Sequence, residues 1–418
     1  MPYNDEKAGK TGHIPITKLL TSEELQNLKT VAMPETKLNW TDVQFTSDTF
    51  EKVVVCDSGP ATAVAQSWPY QSLTYFNTVV LTLDTDQILS SDPFKDPREL
   101  LDYIDSNLIR ISAIVPIRNI IHPDLSFQET FRLKVWNIFE NYPELLQTLH
   151  WLVFQDHSSV TITCPECEKR TTIYSKSNVT TCIDCSRTIY LSDFLSLHID
   201  LSETSARETA ISSLMNNIET LCLFSKIRQL WQSDKQLLAK HLFIKDGPLF
   251  FPAPFNKLVL PIRKFLARAI DNETPVFLIS QEKNGTFASY LDMIKNDSRM
   301  FSYLILDDHF IHSEIQQMRK WNYLYGMHTH YGCKIFLTGN TNNHLVLNIA
   351  TPRLYDKPNE SNFPSFDRIV NTVLRIRSFQ YKSALLPIQL AHKYASISNY
   401  PGSSILQKIT QETLRWDL

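Results

Sequence analysis

Glycine is what this chain has least of. Nine of its 418 residues are Gly, where an average composition of roughly 7% would supply about 30. A collagen-like repeat, a glycine-rich linker and a multi-glycine phosphate cradle are hard to build from so few. Long apolar runs are absent too. No uninterrupted stretch approaches the ~18 residues of a membrane span, so no membrane partner is expected. The opening MPYNDEKAGK mixes charges of both signs without an apolar stretch, unlike a signal peptide. Excess charge of one sign is also missing: 41 Lys+Arg stand against 44 Asp+Glu, a net charge of −3. Such a balance neither suggests nor excludes nucleic acid, which a local channel can still bind. The run Ala8-Gly9-Lys10-Thr11-Gly12 hints at a phosphate loop, but the Walker pattern needs Gly where Asn4 stands, and no strand precedes it.

What is present is ordinary for a globular chain: 43% hydrophobic, 20% charged and 11% aromatic residues. The length allows about two to three domains at ~150 residues each. The cysteines are an odd seven, four in two tight pairs and three scattered at Cys56, Cys222 and Cys333. That usage fits a reducing cytoplasm and one metal site better than a disulfide framework.

No internal repeat is visible. Thr21 with Glu24 forms a capping box for a short helix near TSEELQNL. FEKVVVC, 50–56, reads as a buried strand that Asp57, Ser58, Gly59 and Pro60 end in a turn, with LTYFNTVVLTL, 73–83, as its hairpin neighbour. Helical spacing then predominates over 97–155, with a second capping box at Ser126 and Glu129. Beyond Asp200 helices and strands alternate: a long helix at 203–224, strand LFIK, a helix at 256–271, then strands PVFLIS, SYLIL, KIFLTG and HLVLNIA, a helix at 286–296, and closing helices near 366–379, 387–397 and 403–415. Alternation predicts an α/β core. The expected organisation is an N-terminal segment 1–49, core 50–94, a helical insertion 95–157, a cysteine module 158–192, and the rest of the core 193–418.

Cys164-Pro-Glu-Cys167 and Cys182-Ile-Asp-Cys185 are C-x-x-C pairs fourteen residues apart. Each pair presents two thiolates from one tight turn, and two such knuckles complete a tetrahedral, closed, structural Zn²⁺ site. The ribbon either docks DNA or a protein, or serves to fold the insertion.

Two apolar strands are each followed by Asp, Gly and Pro: VVVC-Asp57-Ser58-Gly59-Pro60 and LFIK-Asp246-Gly247-Pro248. Turn chemistry alone explains such residues. Two strand-end carboxylates brought together would instead hold hard Mg²⁺ or Mn²⁺ between them. For a third acid, Glu219 and Glu208 share a face of the long helix, about three turns apart. Asp307 and Asp308 are further candidates, and Asp307-Asp308-His309 suggests a metal triad, but neighbours alternate in direction at a strand end, so a turn is the simpler reading. Arg375, Arg377 and Lys382, among aromatics, suit either a DNA backbone or a solvated helix face.

The order of these features resembles the NurA nucleases. The carrying pieces are the strand-Asp of VVVCDSG, a helix glutamate ahead of LFIKDGPL, the lysine in PVFLISQEKNGTFASYL, and the Ala-His pair of LPIQLAHKYASI. The resemblance covers about 50–90 and 200–400. It implies a ribonuclease-H-like, Piwi-like α/β mixed-sheet core, here with an inserted zinc ribbon. It also implies Asp57, Glu219 and Asp246 as ligands of Mn²⁺ or Mg²⁺, His392 as the active-site histidine, and Lys283 as a phosphate contact. By family analogy the protein is a DNA nuclease and a homodimer that partners a HerA-like hexameric ATPase, in end processing or antiviral defence. Departures are the Asp57-Ser58-Gly59 order, where the family has Asp-Gly-Ser, and the uncharged Asn348-Ile349-Ala350-Thr351 ahead of Pro352. They leave open a catalytically idle, zinc-ribbon adaptor. A transcription-type zinc-ribbon factor is a third reading.

Overall fold

The computed structural model describes residues 38–67, 70–89, 97–199, 201, 207–294, 298–340, 344–378, 383–397 and 402–413. The Walker-like run 8–12, the capping box at Thr21 and Lys382 lie outside the described residues.

A nine-stranded sheet organises residues 39–418. Its strands are β1 (Thr41–Asp42), β2 (Lys52–Ser67), β3 (Tyr70–Asp84), β4 (Leu108–Arg118), β9 (His241–Asp246), β10 (Phe277–Glu282), β11 (Ser302–Ile305), β12 (Gly332–Thr338) and β13 (His344–Ala350). They lie in the order β1-β11-β12-β13-β10-β9-β2-β3-β4. β2, β3 and β4 form an antiparallel meander, and β9 and β10 join β2 in parallel. The remaining pairs are antiparallel. This is the mixed α/β sheet the sequence predicts. β9 is buried on both faces, which is why HLFIKD reads as an apolar run instead of an alternating one.

Helices cover both sides. One face packs against α3 (Phe127–Asn141), α4 (Pro143–Phe154), α5 (Arg207–Ser233) and α6 (Val259–Asp271). The other receives α8 (Phe366–Arg375) and α9 (Leu386–Ala395). Short helices α1 (Thr85–Leu89) and α2 (Pro97–Ser106) follow β3, α7 (Thr286–Ile294) follows β10, and α10 (Ser404–Thr413) follows α9. Ser126 caps α3 and Glu129 returns the bond, so the expected capping box is formed.

Two expectations need correction. Residues 108–118, placed by helical spacing in a helical stretch, form β4, whose LIRISAIVPIR pairs with β3. β-branched residues in half-buried alternation suit a pleated surface. Asp57 does not end its strand either: β2 continues through Gly59 and Pro60 to Ser67, paired with β3 apart from a bulge between Val64 and Gln66. What ends is its second neighbour, since the β2–β9 ladder stops at Cys56 and Lys245. Beyond that point one side of β2 is an edge, where Pro60 is tolerated.

Candidate metal centres

The cysteine module consists of two hairpins, β5 (Ser159–Thr163) with β6 (Arg170–Tyr174) and β7 (Val179–Thr181) with β8 (Thr188–Tyr190). The knuckles repeat one another. Cys164 N–H donates to Lys169 O at 2.8 Å and Cys182 N–H to Arg187 O at 2.9 Å. Glu168 and Ser186, each one residue past a knuckle's second cysteine, both have positive φ, at 59° and 60°. The four sulfurs lie within 4.8 Å of one another. Cys164–Cys185 and Cys167–Cys182 are 3.6 Å apart, and none forms a disulfide. A tetrahedron with Zn–S of 2.3 Å has edges of about 3.8 Å, so the thiols fit zinc.

The ribbon is anchored. Ile162, Ile173 and Ile189 are buried in the core that α3, α4 and α5 share. The buried Arg132 of α3 forks onto Asp193, just past β8, at 2.8 and 2.7 Å, and Trp136 stacks on Tyr190 at 5.1 Å.

The acidic edge is assembled by register. Cys56 pairs with Lys245 across β2 and β9, so the next residues, Asp57 and Asp246, stand side by side. Alternation sends both toward the face of α9. Each carboxylate is held alike. Asp57 Oδ1 accepts Ser58 N–H at 2.8 Å and Oδ2 meets His392 Nδ1 at 2.8 Å. Asp246 Oδ1 accepts Gly247 N–H at 3.1 Å and Oδ2 accepts Lys283 Nζ at 2.9 Å. Gly247, at φ 77°, turns the chain where an L side chain would be strained.

α9 places His392. A Cβ on Gly59 would stand 2.6 Å from Ala395 O, so glycine lets the end of α9 press onto β2. Asn77 of β3 donates to Tyr394 O and Ala395 O at 3.2 and 3.4 Å, satisfying carbonyls at the helix end. The glycine that suggests a turn or phosphate approach in sequence is thus a helix-docking site.

Asp57, Asp246 and His392 offer ligand atoms within 4.8 Å of one another. Glu219 approaches from α5, on the opposite sheet face, and pairs with Lys245 Nζ at 2.8 Å. Lys245 also donates to Asp246 O at 2.9 Å, which brings this buried pair up to the edge. Lys245 escapes a sequence reading because LFIK looks like plain strand. Glu208 is exposed and faces Arg118 at 3.8 Å, away from this pairing. Asp307 caps the following turn through Phe310 N–H at 2.6 Å, Asp308 accepts Tyr325 N–H at 2.6 Å, and Arg375 and Arg377 bond to Thr46 O and Leu374 O.

The acids crowd one another at this edge. Burial first, then repulsion from Asp246 and Glu219, pushes the Asp57 carboxyl up to about 6, against the pull of His392. Such a carboxylate pair, with an imidazole in reach, suits a hard divalent cation.

No protein-family profile matches the chain, and no curated protein sequence does. Among solved structures the chain is similar to the NurA nuclease from Sulfolobus solfataricus, at 12% identity and TM-score 0.36 over 99% of this chain and 98% of that one. A second NurA structure compares at 11% identity and TM-score 0.36, over 97% and 98%.

Proposed function

We propose that this protein is a divalent-metal-dependent deoxyribonuclease, the reading carried by the meeting of Asp57, Asp246 and His392 at one sheet edge. Asp57 and Asp246 would hold Mn²⁺ or Mg²⁺, with Glu219 supporting the site through Lys245. When bound, such a cation would supply an activated water and neutralise charge building on the phosphate. Lys283, paired with Asp246 at 2.9 Å, would take a phosphate oxygen of the substrate. Asp57 accepts a hydrogen bond from His392 Nδ1–H, and in the imidazolium form the second N–H, at Nε2, would orient the phosphate or protonate the leaving 3′-oxygen. The His392 side chain is 60% exposed, in keeping with a group that meets substrate. The ribbon zinc is structural. From its cysteine usage we infer a reducing cytoplasm, and by family resemblance a homodimer beside a HerA-like ATPase, in end processing or defence.

The test is cleavage of linear DNA with Mn²⁺. Asp57→Asn and Asp246→Asn are each expected to lose on the order of 10³-fold or more in rate, with unchanged zinc content. Parent-like cutting by either would remove the site assignment. The idle-adaptor reading draws on Lys283 already neutralising Asp246. An adaptor binds zinc at the ribbon and shows no second, weaker Mn²⁺ site on titration.

A further inference from the structure

Between Glu314 and Asp356 the chain contains no acidic residue. Within that stretch, loop 316–330 reads QQMRKWNYLYGMHTH, with basic and aromatic residues interleaved. Its backbone is held from beneath. Tyr325 N–H donates to the buried Asp308 at 2.6 Å, Arg263 Nη1 to Met327 O at 2.9 Å, and Asn256 to His328 O at 3.0 Å. Trp321 lies flat on His312, ring centroids 4.8 Å apart and 3° from parallel. With those groups committed inward, Arg319 and Lys320 are exposed, and no carboxylate among the described residues pairs with either. Tyr323 is 66% exposed.

The loop is tied to the two chain segments that follow Asp246 and Lys283. Tyr331 N–H and Phe251 N–H bond to Leu249 O and Thr329 O, at 3.1 and 2.9 Å, tying its end to the segment just after Asp246. Tyr325 packs edge-on against Phe287 at 5.6 Å, at the start of the helix that follows Lys283.

We propose that loop 316–330 is a platform for single-stranded DNA approaching the acidic edge, with Tyr323 stacking on a base and Arg319 and Lys320 contacting phosphates. The inference rests on the nuclease reading for its purpose. Its chemistry is independent: any base offers a π face to an exposed ring, and free cations follow the backbone. A lone exposed tyrosine would not suffice, but here no carboxylate among the described residues pairs with the two cations, and the supporting loop is tied down by hydrogen bonds.

Binding is measured by anisotropy of a labelled oligonucleotide, without divalent ions, so that cleavage does not enter. Tyr323→Ala should weaken single-strand binding roughly tenfold, while Tyr323→Phe keeps the ring and the affinity. Arg319→Ala with Lys320→Ala should lower the salt slope by about 1.4, at ~0.7 per phosphate contact on a single strand. Thermal melting should not move, since all three side chains are exposed. Parent-like binding by both the Ala variants, an equal Tyr323→Ala loss on blunt duplex, or loss with Tyr323→Phe overturns the platform. A parent that binds through this loop yet never cuts with Mn²⁺ would keep the platform and remove the nuclease reading.

Discussion

Cys164 and Cys185, the outermost thiols of the ribbon, are 21 positions apart in the chain, whereas Asp57 and His392, which touch at the acidic edge, are 335 apart. The ribbon's ligand geometry is written into two local turns. The edge's geometry depends on the register of β2 against β9 and on α9 docking over Gly59. Charge differs as well. Four thiols gathered in one small module are best answered by a metal, while the edge already has Lys283, Lys245 and His392 against its acids. The ribbon should therefore need its metal to fold, and the edge should not.

Removing zinc is the largest way to break that contrast. Structural zinc carries an apparent ~10–16 kcal/mol in small zinc-finger peptides. Cys182→Ser, or strong chelation, should abolish bound zinc and expose the amides of residues 158–192 to hydrogen exchange. The central sheet should remain protected. If the hairpins stay protected without zinc, then Ile162, Ile173 and Ile189 hold the ribbon by packing alone, and the contrast fails.

The same locality decides what a sequence reader can find. The cysteine site is legible in full because C-x-x-C spacing is itself the geometry. Asp57 and Asp246 are legible as candidates through their glycine and proline neighbours, but for a partly mistaken reason. β2 runs on past Asp57, and it is the loss of β9 as neighbour that opens the edge. β4 was hidden because Leu108–Arg118 sits between helices and shares their apolar density. His392 has no local signal, since a helical His-Lys pair looks like any other, and resemblance alone marks it. Lys245 is invisible until the fold buries its ammonium beside Glu219.

That pair offers the second test. Burial works against the Lys245 charge, yet Glu219 outweighs it and the pKa lies above its ordinary value. Glu219→Gln leaves a buried ammonium uncompensated and should cost about 3–5 kcal/mol in denaturant unfolding. Adding Lys245→Met should restore much of it. If the double variant recovers stability and also Mn²⁺ affinity, Glu219 is a structural partner. Recovered stability with lost affinity makes it a third ligand, and the edge then draws on both sheet faces.

The smallest effect separates the two centres by pH. Asp57 has its carboxyl raised from 3.8 to about 6 in the folded protein. A raised carboxyl favours folding while protonated, so that stability is present below about pH 4 and is lost as pH rises through about 6. In metal-free protein above pH 7, Asp57→Asn should therefore stabilise, on the order of 1–3 kcal/mol. Buried His198 and His330, lowered by burial to about 4 and about 3, act oppositely and lose stability as pH falls below 6.5. The informative quantity is thus the parent-minus-variant difference, measured by urea unfolding from pH 4 to 8, in which the histidine contributions cancel. Mn²⁺ must displace the Asp57 proton, so its affinity should fall about tenfold per unit below pH 6, while ribbon zinc stays bound in the same samples at pH 6. A flat difference curve would mean that Asp57 is as solvated as an ordinary surface carboxylate, and the crowding of acids that invites a cation would be gone.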